Sequence, residues 1–416
     1  MNELASELAG LGYHTHLFFV GDPMKPGHED RKDGRLHLHR WCQWISRYHP
    51  NGVYDGEDAK RADWDRSLAP WAAAEVIGPL VRDGKHVVVL AEEWHTAVSA
   101  IELSKLVRAN GWQSSVQVFW NANNTFGLDR IPLAELQRQT TVTTVSRWMR
   151  LVLAQLGLTA RVIPNGISGS WLAPIDDGLR AALAAALAGR TAIAKVARFD
   201  PDKNWLPAID AVAEMKRAGM RPLLIARGGM EGYAHAVMQR AERAGLRVRR
   251  AAWVGDGARS MIAGLASALD ADVAIADVHL NQQQRQLLFN GVTAVLANSS
   301  KEPFGLVGLE TMAAGGVAMV GATGEDYATH GYDSISIQSN DPSEIVTNVR
   351  RLVDSPGWAR WLRDNAHHMA RRYTWNSVCQ RALLPMVDQD AVTWQPVHYL
   401  PDPTSLDDSI AAGVPA

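Results

Sequence analysis

Short apolar runs alternate along this chain with longer amphipathic stretches. Residues 2–11 place Leu4, Leu8 and Leu11 on one face at helical spacing, Gly12 stops that helix, and an apolar strand over 16–20 follows. A helix over 71–80 leads to the strand 86–91, and the same unit repeats at 116–120 and 141–145. These strands end in polar loops, Glu92-Glu93-Trp94-His95, Asn121-Ala122-Asn123-Asn124 and Ser146-Arg147. A second series starts at Thr191, with apolar runs at 192–197, 222–226, 248–254, 273–276, 294–298 and 317–320. Continuous apolar strands alternating with helices specify parallel sheets covered on both faces, in which ligands bind beyond the carboxyl ends of the strands.

The stretches between these units carry their own expectations. Residues 36–48, LHLHRWCQWISRY, put Arg40, Trp41, Trp44, Arg47 and Tyr48 at helical spacing. Such a face suits a membrane surface or an acceptor, and burial of Trp41 and Trp44 in the first domain is the simpler reading. Residues 21–35 and 51–62 read as long loops. The run 162–167, VIPNGI, closes the first domain, an Ala/Leu/Gly-rich stretch over 176–189 separates the halves, and 358–378 is helical. The resulting division is an N-terminal domain over 1–172, a C-terminal domain over 190–360, a crossover helix over 361–385 and a loose tail over 395–416. Because the chain opens on what reads as the first helix of a βα unit, a further strand and Gly-rich turn are expected upstream of residue 1.

Composition narrows the function classes. With 416 residues there is enough chain for two cores, and a formal net charge of −2 supplies no general attraction to nucleic acid. Cys42 and Cys379, the only two cysteines, lack metal-ligand or redox spacing, which suits a reducing cytoplasm. No G-x-x-x-x-G-K-[ST] loop or G-x-S-x-G elbow occurs, which removes the commonest nucleotide hydrolase and esterase readings.

The candidate chemistry concentrates at 299–316, SSKEPFGLVGLETMAAGG, a strand end, loop and helix. Pro303 keeps Glu302 extended ahead of the helix, so the N–H groups of Phe304, Gly305 and Leu306 form an anion cradle. Glu302 flanks the cradle on the loop, and Glu310 lies more than a turn inside the helix. Upstream, the strand ending at Ala197 runs into Arg198-Phe199-Asp200-Pro201-Asp202-Lys203-Asn204, where Arg198 and Lys203 can meet a diphosphate. Gly228-Gly229 after the next strand is either a turn or a close approach to a nucleotide. The segments Asp200-x-Asp202 and Asp270-x-Asp272 spell D-x-D and read as incidental.

Taken together, Glu302-Pro303-Phe304-Gly305-Leu306 through Glu310 and the R-F-x-x-x-K-N run from Arg198 to Asn204 resemble the retaining glycosyltransferases of the GT-B fold, specifically glycosyltransferase family 4. The resemblance implies two Rossmann-like domains facing across a cleft, with a C-terminal helix crossing back to the first. It implies hexosyl transfer from a nucleoside-diphosphate sugar to a hydroxyl acceptor (a saccharide, a lipid-linked species or a small molecule), with retention and without a metal or other cofactor. It assigns Glu302, Arg198 and Lys203 to catalysis, Phe304, Gly305, Leu306 and Glu310 to the donor, with Glu310 on the ribose, and Glu92, His95 and Asn121 to the acceptor side. That side departs from the family pattern: Asn121 and Glu92 stand where relatives often carry histidine, and the first strand with its Gly-rich turn is not in the sequence. Peripheral membrane contact and no nucleic-acid partner complete the expectation. Rival readings are a non-catalytic nucleotide-sugar-binding protein, or an epimerase or phosphorylase of similar architecture.

Overall fold

The computed structural model describes residues 2–229 and 232–388; the tail expected over 395–416 lies outside the described residues. Three sheets are present among them. Strands β1 (Thr15–Val20), β2 (His28–Arg31) and β3 (Leu36–Trp41) form a small sheet ordered β1-β3-β2, with β1 parallel and β2 antiparallel to β3. Strands β4 (Val87–Glu92), β5 (Val116–Ala122), β6 (Thr141–Thr144) and β7 (Arg161–Val162) form a parallel sheet in simple sequence order. The remaining strands are β8 (Thr191–Val196), β9 (Pro222–Arg227), β10 (Val248–Ala251), β11 (Val273–Ala276), β12 (Ala294–Ala297), β13 (Ala318–Val320) and β14 (Ile335–Ser336). They form a seven-stranded parallel sheet ordered β10-β11-β9-β8-β12-β13-β14.

The apolar runs are continuous because the large sheet is covered on both faces. Successive side chains of a strand point to opposite faces, and here each face has its own core. Ala192, Ala194, Leu223, Ile225, Val295 and Val320 pack with Leu287, Leu288, Leu309 and Met312 on one side. Ile193, Leu224, Leu296 and Met319 pack with Trp205, Ile209, Val212 and Val349 on the other. Burial of each of the Val, Leu, Ile and Met side chains among them contributes about 1.5–3 kcal/mol.

Three local expectations are corrected. Residues 36–48 are not one helix: Leu36–Trp41 is a strand, Cys42 turns in the left-handed region at φ 56°, and only Gln43–Ser46 is helical. The strand follows from LHLH, where Leu36 and Leu38 face Ala5 and Ala9 of the helix Asn2–Gly10 while the histidines face away. Trp41 is half-buried and donates from Nε1 to Ser67 Oγ at 2.8 Å, but Trp44 is 58% exposed rather than buried. The presumed loops 21–35 and 51–62 contain β2 and the start of the helix Glu57–Ala72. The stretch over 176–189 is a helix, Asp177–Ala186, capped by Asp176 Oδ1 accepting from the Leu179 N–H at 2.8 Å, and its Leu183 is packed against Gly291.

The return of the chain to its first half is built from specific bonds. The helix Pro356–Ala370 ends in a turn at Arg371–Tyr373, and Thr374 is extended. Ile167 exchanges backbone hydrogen bonds of 2.9 Å with Tyr373 and Trp375. Trp375 Nε1 donates to Glu3 Oε2 at 3.1 Å, Asn376 Nδ2 donates to Glu7 Oε1 at 2.8 Å, and Gln117 Nε2 donates to the Val387 carbonyl at 2.9 Å. Gly166 of the P-N-G run lies under Trp375, where a Cβ would stand 2.6 Å from the ring.

Candidate active site

In the large sheet the chain proceeds from β8 to β9 on one side and later places β12 on the other, so the order reverses between β8 and β12. A crevice opens beyond the carboxyl ends of strands at such a reversal. The loops after those two strands carry the two motifs. Lys203 Nζ and Glu302 Oε2 meet there at 2.6 Å, with side chains 21% and 22% exposed. The Asp202 carbonyl accepts from the Ser300 N–H at 2.9 Å and fastens one loop to the other. Arg198 extends from the β8 loop with its side chain exposed, its guanidinium 3.9 Å from Asp200.

The loop after β13 completes the floor. Thr323 Oγ1 accepts from the Glu302 N–H at 2.9 Å, and the Gly324 N–H donates to the Glu302 carbonyl at 2.9 Å. A Cβ at Gly324 would stand 2.0 Å from the Pro303 carbonyl oxygen, so only glycine permits this approach. Gly305 precedes the helix Leu306–Ala313 at φ 78° and is enclosed by Glu302, Glu325 and Tyr327, and no side chain caps the helix. The amino end of that helix therefore carries its partial positive charge beside the Lys203–Glu302 pair. Phe304, expected at the donor, is 2% exposed and packs on Tyr327 and Tyr373; it holds the loop from below. Leu306 is 42% exposed at the start of the helix.

Charges near the crevice are strongly perturbed. Burial pushes Glu325 up to about 7, against the Thr323 N–H that donates to its Oε2 at 3.0 Å. Burial also pushes Glu310 up to about 7, opposed by Arg285, whose Nη1 donates to Glu310 Oε2 at 2.6 Å. Arg285 in turn lies 4.8 Å over the ring of Trp171. Between β8 and β12 the fully buried Lys195 is pushed down to about 7, first by desolvation and then by Lys203. Its Nζ donates to Asn298 Oδ1 at 2.8 Å and to the Leu296 carbonyl at 3.2 Å.

The acceptor-side residues are less unified. Glu92 and Asn121 are register partners on β4 and β5 and line one cavity with Thr143, Asn165 and Trp375. Glu92 Oε2 accepts from Asn123 Nδ2 at 2.6 Å, and burial raises its carboxyl above the usual range. Asn121 Oδ1 accepts from Thr143 Oγ1 at 3.0 Å. His95 is set apart from that cavity: its Nε2 is 2.7 Å from Glu57 Oε1 and its ring lies on Trp94. Glu93, which sequence reasoning passed over, sits at φ 70° and is pushed up to about 7, first by burial and then by Glu92.

Other sequence candidates have structural partners. Gly228 lies against Phe199, where a Cβ would be 2.5 Å from the ring. Asp200 caps the turn after β8 by accepting from the Asp202 N–H at 2.9 Å. Asp270 and Asp272 precede β11, at the end of the sheet opposite the crevice, and meet Arg247 and Lys216 respectively. Lys195, Arg285, Thr323, Glu325 and Tyr327 were not foreseen. The TGE run at 323–325, following an apolar strand, was the available signal for the β13 loop.

No family model matches the chain. Sucrose-phosphate synthase from Thermosynechococcus elongatus superposes with a TM-score of 0.63 at 17% identity, over 93% of this chain and 91% of that one. Anabaena HepE in complex with UDP and glucose superposes with a TM-score of 0.63 at 13% identity, over 93% and 95%. The UDP-forming trehalose-phosphate synthase from Burkholderia xenovorans gives 0.62 at 13% identity, over 94% and 98%. The chain has the GT-B fold. Among curated proteins, an uncharacterized glycosyltransferase, MJ1607 of Methanocaldococcus jannaschii, is 26% identical over 107 residues, 25% of this chain. That match spans 27% of the relative's length.

Proposed function

We propose that this protein is a retaining, family 4-type glycosyltransferase that moves a hexosyl group from a nucleoside-diphosphate sugar to a hydroxyl acceptor. The observation that carries the reading is the Lys203–Glu302 pair at the reversal of the large sheet, beside an uncapped helix amino end. A diphosphate brings negative charge to Lys203, Arg198 and the helix terminus, and charge-assisted hydrogen bonds there draw Lys203 away from Glu302. Glu302 is then free to accept from hydroxyls of the transferred sugar. Glu310, held by Arg285, faces the ribose. The departing phosphate takes the acceptor proton as the sugar passes through an oxocarbenium-like state, and the protein supplies positioning and charge stabilisation. Arg198, Lys203 and the helix terminus provide the positive charge, so activity is expected to survive EDTA. Glu92 and Asn121 line the acceptor side. A reducing cytoplasm suits the two buried free thiols.

The UDP complexes of Anabaena HepE support a nucleotide sugar as donor, and the curated relative's name supports transfer. The test is incubation with UDP-, GDP-, ADP- and TDP-sugars and a panel of hydroxyl acceptors, with product anomeric configuration read by NMR. Transfer with retained configuration is the expected result. Donor binding without transfer to any acceptor supports the binding-protein alternative, and inverted product refutes retention.

A further inference from the structure

The small sheet carries a second constellation that sugar transfer does not use. Five of the chain's fourteen histidines, His14, His16, His28, His37 and His39, fall within its first forty residues. The strand pairing brings four of them onto one face: His16 opposes His37 across β1 and β3, and His28 opposes His39 across β2 and β3. Asp30 opposes His37 on the same face. The rings of His16 and His37 stack at 4.3 Å, and His16 Nδ1 lies 3.0 Å from His39 Nε2.

At the outer end of this face, Asp30 Oδ1 lies 2.7 Å from both His28 Nε2 and His37 Nδ1, and the three ligand atoms all fall within 4.8 Å of one another. We propose that His28, His37 and Asp30 bind one divalent transition-metal ion of the Zn²⁺, Co²⁺ or Ni²⁺ type. Two imidazole nitrogens and one carboxylate oxygen select such ions over Mg²⁺ and Ca²⁺, which prefer all-oxygen sets. Ligands about 2.0–2.2 Å from a tetrahedral ion are separated by about 3.3–3.5 Å, and His28 and Asp30 are exposed enough to close the difference. The ion replaces the N–H protons that now bridge to Asp30.

The placement also explains what an ion would add. Strand β2 reads HEDR, presents no fully buried side chain, and pairs only with β3. An ion joining His28 and Asp30 of β2 to His37 of β3 cross-links the outer strand to a sheet too small to hold it by burial. This role is structural and independent of the crevice at β8 and β12.

The test uses the full chain without an affinity tag, stripped with chelator and titrated with ZnCl₂ by calorimetry, with MgCl₂ as control. One Zn²⁺ per chain and no Mg²⁺ uptake are expected, with a rise in melting temperature on adding Zn²⁺. His28→Ala/His37→Ala should weaken Zn²⁺ at least 100-fold. Asp30→Asn, at an exposed position that keeps its shape, should weaken it at least tenfold while leaving the stripped protein's melting temperature unchanged. Absence of Zn²⁺ uptake by the parent, or equal uptake by parent and Asp30→Asn together with the double variant, overturns the proposal.

Discussion

The two halves of the molecule use the same βα chemistry and differ in whether a strand order reverses. In the C-terminal half the reversal between β8 and β12 directs three loops into one crevice, where Glu302 bonds both Lys203 and the Thr323–Glu325 loop. In the N-terminal half β4 to β7 run in sequence order, and β1, β3 and β2 form a separate sheet. Of this half's polar loops, the first two bond each other and their surroundings, Glu92 with Asn123, Glu93 with Asn124 and His95 with Glu57. Arg147 after β6 instead reaches the loop after β13, its N–H and Nε donating to Asp326 at 2.7 and 3.1 Å. The reversal gathers residues about a hundred positions apart into one crevice, whereas the simple progression pairs the loops after β4 and β5 with each other and turns the loop after β6 toward the other half.

The largest effect that separates the halves is expected from Glu302→Gln. A contact that strengthens in the transition state acts on kcat, and this change should lower kcat about 100-fold or more, on the scale of losing one stabilising group. Glu310→Gln should instead raise the donor KM, since the ribose does not react. Steady-state kinetics with donor varied decides between them; the opposite split reverses the two assignments.

Backbone approach should matter next. Gly324→Ala forces a methyl group against the Pro303 carbonyl, and a loss of about 2 kcal/mol in stability is expected from denaturant unfolding. Gly10→Ala, with nothing within 4 Å of its Cβ, should be neutral or slightly stabilising. If both variants unfold alike, the tight loop is not as described.

A smaller contrast lies in pH dependence. Glu325 titrates near 7 in the folded state against an ordinary 4.5, because it is buried. Between those values the folded state binds more protons than the unfolded one, so stability falls as pH rises from about 4.5 to about 7 and then levels. Glu310 and Glu93 act with the same sign. Glu325→Gln, which cannot ionise, should flatten the decline by an amount on the order of 2 kcal/mol. Urea melts from pH 5 to 8 measure this, and an unchanged slope contradicts the burial argument. The smallest effect is expected on the N-terminal side, where Glu92→Gln should leave donor affinity within twofold by calorimetry while acceptor KM changes.

The crevice was half legible in the sequence. Glu302, Gly305 and Glu310 lie on one continuous loop and helix, and Arg198 to Lys203 on another, so each run could be singled out as a contiguous motif by its family resemblance, while the burial of Phe304 beneath the loop could not. Lys195 reads as one polar residue in an apolar strand, and its surroundings come from β12 a hundred residues away. Glu325 depends on a third loop whose approach is set by Gly324. Arg285 is one turn into a polar helix start, and only packing reveals that it holds Glu310. The parallel sheets were readable because strands covered on both faces are apolar throughout. The 36–48 segment was not, because helical spacing of Arg40, Trp41, Trp44 and Arg47 masked the period-two alternation of LHLH, and a left-handed Cys42 is not encoded by residue type.

The central claim is that Lys203, released from Glu302, binds the donor diphosphate. Calorimetric titration of UDP and of the best donor found into the parent and Lys203→Ala tests it most directly, with thermal melts establishing that both are folded. A loss of about 1.5–3 kcal/mol, or roughly 10- to 150-fold in affinity, is the expected result for a charged hydrogen bond. Equal affinity in the folded variant would contradict the account.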